Sequence, residues 1–235
     1  MRPIYTFIRH CNVSANSQNK TRPVWFTKEK AFQNLLSTKD DDVHVTVMID
    51  TASTDPSLHF TKDYNNIKIV PMKGGTDAHS FINLLNYVCS LKLPDDAIIY
   101  LLEDDYVHKD GWTQVMREAF DKKLAEYVTL YDHSDKYSEM YKNLHSEIYV
   151  TKHCHWRSTP STTNTYACLF KTLIDNKESH MAFSDLKVGY TFDHNKFMYL
   201  ASQKKQKLIS SIPGYSTHVE EMYLSPCLEW SEILR

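Results

Sequence analysis

The sequence predicts an α/β fold: a mostly parallel, Rossmann-like central sheet with helices on both faces, followed by a smaller mixed C-terminal region. Three observations carry this. Strand-like and helix-like stretches alternate through about the first hundred residues, the signature of parallel strands joined by right-handed crossovers. The strand-like stretches are continuous apolar runs, as in strands buried on both faces. Two of these runs end in acids, Asp50 and Glu103-Asp104-Asp105, where open parallel sheets bind their ligands.

Taken in order, Ile4 to Ile8 reads as the first strand and Asn12 to Lys20 as a polar surface loop. Thr27 caps a helix whose apolar stripe is Ala31, Phe32, Leu35 and Leu36. Asp40-Asp41-Asp42 is a solvated turn before the β-branched run Val43 to Ile49. Ile67 to Val70 is a short third strand, and Asp77 to about Leu91 a helix with Phe81, Leu84, Leu85 and Val88 on one face. Ala97 to Leu102 then runs as a buried strand into the three carboxylates. Later come a helix from Gly111-Trp112 to about Leu124 and a strand over Tyr127 to Leu130. Glu147 to Lys152 and Thr163 to Phe170 read as strands or strand–helix junctions. A helix follows over Asp193 to Gln203 with Asp193 as its cap, then a short strand at Leu208 to Ser210.

A chain of 235 residues with net charge −2 carries no basic field for nucleic acid. Its five scattered cysteines form no C-x-x-C pair, which favours thiols in a reducing compartment over a disulfide framework. Alternation along a strand also keeps His153-Cys154-His155 from converging on one ion. The N-terminus is too short and interrupted for a signal peptide or membrane span, so the expected location is cytoplasmic, without an integral membrane segment. Without a secretory signal, the glycosylation patterns at Asn12-Val13-Ser14 and Asn19-Lys20-Thr21 carry little meaning.

Three consecutive like charges resist burial, and a divalent cation such as Mg²⁺ or Mn²⁺ is the simplest reason for them; the alternative is an acidic loop without a ligand. In Trp156-Arg157-Ser158-Thr159-Pro160, the indole can stack on a sugar face and Arg157 can bind phosphate or hydroxyls, or the Trp packs on the core. Tyr131-Asp132-His133 can join an acceptor cleft, and Arg9 at the end of strand one can reach a nucleotide. Lys73-Gly74-Gly75 can approach phosphates through its backbone or simply turn the chain.

Val45-Thr46-Val47-Met48-Ile49-Asp50-Thr51-Ala52-Ser53-Thr54-Asp55, Leu101-Leu102-Glu103-Asp104-Asp105 and Ser216-Thr217-His218 together resemble the GT-A-fold nucleotide-sugar glycosyltransferases, nearest the family-2-like inverting group. The elements span about Ile4 to Glu220. The resemblance implies one domain over 1–235, with a nucleotide-binding half (1–110) and an acceptor-binding half (111–235). It implies transfer of a sugar from a nucleotide-diphosphate sugar to a glycan or other hydroxyl acceptor, with Mn²⁺ or Mg²⁺ and inversion. Asp50 would read the base or ribose, Asp104 would lie near the ribose or a metal-bound water, and Asp105 and His218 would hold the metal. Asp193, or failing it Asp185, would be the base. The processive Q-x-x-R-W signature is absent, which argues against polymerisation. The rival enzyme class, nucleotidyl transfer onto a sugar phosphate, calls for a Gly-rich loop after strand one, and Arg9-His10-Cys11-Asn12 has no glycine. A catalytically inactive binding domain is the other alternative.

Overall fold

The computed structural model describes residues 1–12 and 20–234. Most of the predicted loop at Asn12 to Lys20, and with it part of both glycosylation patterns, lies outside the described residues. The strands are β1 (Ile4–His10), β2 (Val43–Asp50), β3 (Lys68–Met72), β4 (Ile98–Glu103), β5 (Tyr106–His108), β6 (Tyr127–Thr129), β7 (Ile148–Val150), β8 (His155–Ser158), β9 (Tyr166–Leu169), β10 (Ser184–Asp185), β11 (Tyr190–Thr191), β12 (Leu208–Ile212) and β13 (Ser216–His218). The helices are α1 (Lys28–Thr38), α2 (Asp77–Ser90), α3 (Trp112–Asp121), α4 (Phe170–Asp175), α5 (Lys177–Met181), α6 (Asp193–Lys204) and α7 (Trp230–Ile233).

The main sheet has the order β3-β2-β1-β4-β9-β6-β12-β8-β7. Its first half is parallel, as predicted: β1 pairs in parallel with both β2 and β4, and β2 with β3. The second half is mixed, because β9 runs antiparallel to both β4 and β6, and β8 antiparallel to β12 and β7. A separate two-stranded ribbon joins β5 to β13 and another joins β10 to β11.

β4 shows why its run is apolar without alternation. Ile98, Tyr100 and Leu102 enter the core on one face, while Ile99 and Leu101 enter the core on the other. Phe32 and Leu35 of α1, with Trp112, Val115 and Met116 of α3, cover the first face. Phe81, Leu84, Leu85 and Val88 of α2, with Phe197 and Leu200 of α6, cover the second. Each such fully buried side chain contributes about 1.5–3 kcal/mol of transfer free energy. Thr27 caps α1 by accepting the Lys30 N–H, as the sequence predicts, and Thr76 caps α2 through the His79 N–H. The Asp40–Asp42 turn is exposed, as predicted, and Asp40 and Asp42 accept the Arg117 guanidinium at 2.5 and 2.7 Å. No helix among the described residues is long and apolar enough to cross a membrane.

Two histidines are sealed in the core. His108 accepts or donates at Nε2 with the Tyr100 hydroxyl at 2.9 Å, and burial pushes its pKa down to about 3. His180 sits between the Tyr127 and Tyr166 hydroxyls at 3.1 and 3.0 Å, and burial holds it well below the ordinary range. Both stay neutral when folded and take up a proton below about pH 6.5 once unfolded. Stability is therefore fully present above that pH and is lost as pH falls. Thermal melts should show a loss of about 2 kcal/mol from His108 alone between pH 7 and pH 5. His108→Gln should flatten that acid slope; an unchanged slope would contradict the assignment.

Candidate active site

A cleft of about 610 Å³ opens at the carboxyl ends of β1, β2 and β4, walled on its far side by the β10–β11 hairpin and the start of α6. Of the residues singled out from sequence, Arg9, Asp50, Asp104, Asp105, Asp193 and His218 line it.

Arg9 leaves β1 buried beneath the cleft floor. Its guanidinium donates to Asp77 Oδ1 at 2.7 Å, Ser80 Oγ at 2.9 Å and Glu103 Oε1 at 3.0 Å. Burial opposes its charge, but Asp77 and Glu103 outweigh that and hold it firmly cationic. Arg9 thus acts as a joint between β1, β4 and the start of α2. Glu103 is the acid that completes it. Burial pushes the Glu103 carboxyl up to about 7 against the pull of Arg9, with Asp105 adding a further upward push.

Asp50, at the end of β2, accepts the backbone N–H groups of Ala52 (3.0 Å), Gly74 (3.0 Å) and Gly75 (2.6 Å). Its carboxylate shapes the wall where β2 and β3 end. A Cβ on Gly74 would lie 2.8 Å from Asp50 Oδ2, so only glycine lets the two loops close. Asp104 Oδ2 accepts Lys28 Nζ and His10 Nδ1, each at 2.9 Å, and the Cys11 N–H at 3.1 Å. Burial raises its pKa, but His10 and Lys28 outweigh burial and bring it below the ordinary carboxylate value. Behind it, His10 Nε2 meets His59 Nε2 at 2.7 Å, and the Thr61 N–H donates to His59 Nδ1.

Asp105 and His218 are 113 residues apart, yet Asp105 Oδ2 and His218 Nε2 stand 3.0 Å from each other. The β5–β13 ribbon brings this about: Tyr106, next to Asp105, pairs with His218, and the Val219 N–H donates to the Asp105 carbonyl. Two cations that the sequence reading missed share the same carboxylate oxygen, Lys20 at 3.0 Å and Arg22 at 2.6 Å. Burial works against the Asp105 charge, but His218, Lys20 and Arg22 together hold its carboxyl well below the usual range. Asp105 Oδ1 is buried and has no hydrogen-bond partner among the described residues. Among the described residues no group of three or more His, Cys, Asp or Glu converges as a metal cage. One carboxylate with one imidazole is nevertheless a donor set that Mn²⁺ or Mg²⁺ accepts when substrate oxygens and water complete the shell.

Asp193 differs in detail from expectation. It is the first residue of α6 and makes no side-chain capping bond; Phe192 holds the cap position. Its Oδ1 is buried, has no hydrogen-bond partner among the described residues, and lies 3.7 Å from Lys196 Nζ. Burial raises the Asp193 pKa, and Lys196 only partly counters it. Lys196 itself is buried against the Phe81, Tyr166 and Phe197 rings and donates to Asn164 Oδ1 at 2.5 Å. The hairpin before α6 is pinned to Arg9 through Asp77, whose Oδ2 accepts the Thr191 hydroxyl at 2.6 Å.

Four expectations are corrected. Trp156 does not face the cleft: it is 0% exposed and donates its indole N–H to Thr151 Oγ1, because β8 pairs inside the sheet. Arg157 is buried away from the cleft, with its guanidinium 2.6 Å from Asp132 Oδ1. Asp185 is outside the cleft lining; its Oδ1 accepts the Lys187 and Val188 N–H groups and folds the hairpin turn. Lys73 is exposed and also outside the lining, although the neighbouring Gly75 contributes to it. Lys20, Arg22 and Lys28 had no detectable signal, since isolated lysines and arginines near loops are common surface residues.

No family model matches the chain, and no curated protein matches it. Its likeness is to solved structures. S. aureus TarS residues 1–349 are 13% identical, with a TM-score of 0.56, over 91% of this chain and 59% of that one. The same protein in complex with UDP-GlcNAc gives a TM-score of 0.53 at 13% identity, over 91% of this chain and 57% of that one. The 4-diphosphocytidyl-2C-methyl-D-erythritol synthase of Anaerococcus prevotii is 12% identical, with a TM-score of 0.50, over 89% of this chain and 87% of that one. These likenesses show a GT-A-like fold, the fold that the sequence resemblance implied. The chain spans less than two thirds of the TarS chains it matches.

Burial predicts what two substitutions should do. Trp156→Ala should cost about 3–5 kcal/mol in urea unfolding, as for a core aromatic. Gly74→Ala should cost about 1–3 kcal/mol, because the Asp50 carboxylate must move. A Trp156→Ala protein with wild-type stability would show that the indole is not core.

Proposed function

We propose that the protein is a glycosyltransferase that moves a sugar from a nucleotide-diphosphate sugar to an acceptor hydroxyl, with inversion. The observation that carries this is the cleft's division of labour. A charge-dense wall of Asp104, Asp105, His218, Lys20, Arg22 and Lys28 faces it from the parallel-sheet side and the neighbouring segments. Across from these, Asp193 offers a carboxylate oxygen that no described residue hydrogen-bonds.

In this reading the diphosphate of the donor lies against that wall, with the nucleoside toward the loops Asp50 holds. Mn²⁺ or Mg²⁺, held by Asp105 and His218, would supply positive charge to the departing diphosphate. Arg22 and Lys28 add fixed positive charge along the same wall. The acceptor oxygen attacks the anomeric carbon from the face opposite the diphosphate. That bond forms as the bond from carbon to the phosphoryl oxygen breaks, and the nucleoside diphosphate leaves with the electron pair. The acceptor proton passes to Asp193. Burial makes Asp193 more basic than an ordinary aspartate, which suits a general base, and Lys196 partly counters that rise.

A panel of nucleotide sugars and glycan acceptors, with and without Mn²⁺, tests the reading, with nucleoside diphosphate release as readout. Asp193→Asn should lower turnover by about 10²–10⁴ while leaving the donor-induced rise in melting temperature intact. The carboxylate is the active form, so the rate should fall as pH drops through its raised pKa, above the ordinary aspartate range. Wild-type turnover by Asp193→Asn would remove it as the base. Release of pyrophosphate from a nucleoside triphosphate and a sugar phosphate would instead favour nucleotidyl transfer.

A further inference from the structure

The Lys20 ammonium stands where a cation between Asp105 and His218 would stand. Its Nζ is 3.0 Å from Asp105 Oδ2 and 3.0 Å from His218 Nε2. Those two atoms are themselves 3.0 Å apart. An imidazole nitrogen and a carboxylate oxygen thus converge on one positively charged atom. This is the arrangement a divalent ion would meet. Arg22 is differently placed: a second nitrogen of its guanidinium bonds the Val219 carbonyl, which ties it to the backbone.

We infer that Lys20 is a placeholder: its ammonium fills the cation seat while no nucleotide is bound and yields it to a divalent ion that arrives with a diphosphate. The inference rests on the metal-dependent reading above. Lys20 and Arg22 together outweigh the single Asp105 charge, so a free divalent ion meets no net attraction from this group while both are in place. A diphosphate changes this by adding negative charge that draws the lysine aside and by supplying oxygens to the ion. Metal and nucleotide then each strengthen the binding of the other, as linkage requires.

Calorimetric titration of Mn²⁺ into wild type, Lys20→Met and Lys20→Gln tests this, alone and with UDP, GDP, CDP or dTDP. Both variants should bind Mn²⁺ alone at least about tenfold more tightly than wild type, and a diphosphate should narrow the gap. Adding Asp105→Asn to Lys20→Met should abolish the gain, which ties it to this seat. Equal Mn²⁺ affinity of wild type and variants in the absence of nucleotide would overturn the placeholder and leave the metal reading standing. Failure of every protein to bind Mn²⁺, with any of the nucleotides, would sink the metal reading and the placeholder with it.

Discussion

One buried guanidinium holds the cleft in shape. Arg9 joins the ends of β1 and β4 to the first turn of α2, and through Asp77 it reaches the β10–β11 hairpin. Three parts of the chain far apart in sequence meet on this group. Removing it would leave Asp77 and Glu103 facing each other in a poorly solvated space, a loss of the order of 3–5 kcal/mol for a buried pair. The hairpin leads directly into α6, so the position of Asp193 also depends on Arg9. The electrostatics of the floor and the placement of the proposed base are thus one problem with one solution.

The same logic extends across the wall. Each acid at the strand ends has its own cationic or backbone partners: Asp50 has three amides, Asp104 has His10 and Lys28, and Asp105 has His218, Lys20 and Arg22. A cluster of carboxylates that would repel one another if bare is stabilised by interleaved positive charge. Asp193 stands apart. Among the described residues its buried Oδ1 has no hydrogen bond, and burial outweighs the pull of Lys196 and Arg9, so its carboxyl is more basic than an ordinary aspartate.

Parts of this site were legible in the sequence and parts were not. Asp50 and Asp105 could be found because an apolar run that ends in an acid marks the end of a buried strand. The meeting of Asp105 with His218 was implied only by resemblance; it is made by the β5–β13 ribbon, whose strands are three residues long and carry no periodic signal. Trp156 misled because a Trp beside an Arg and several hydroxyls looks like a sugar platform. Pairing with β12 places its indole inside the sheet, and Arg157 finds Asp132 rather than a ligand. Asp185 misled for a local reason, since Asp also folds turns by accepting amides two and three residues on.

The sequence by itself determined the α/β class, the parallel strands β1 to β4, the helices that cover them, and the acids at their carboxyl ends. These follow from apolar runs, helical stripes and caps, which are local properties of the chain. Glu103-Asp104-Asp105 could be read only as three charges in need of a counter-charge. Tertiary structure divided them: Glu103 to Arg9, Asp104 to His10 and Lys28, Asp105 to His218, Lys20 and Arg22. Which cation meets which acid depends on strand order and loop path, and those are set by the packing of the whole sheet rather than by any stretch of residues.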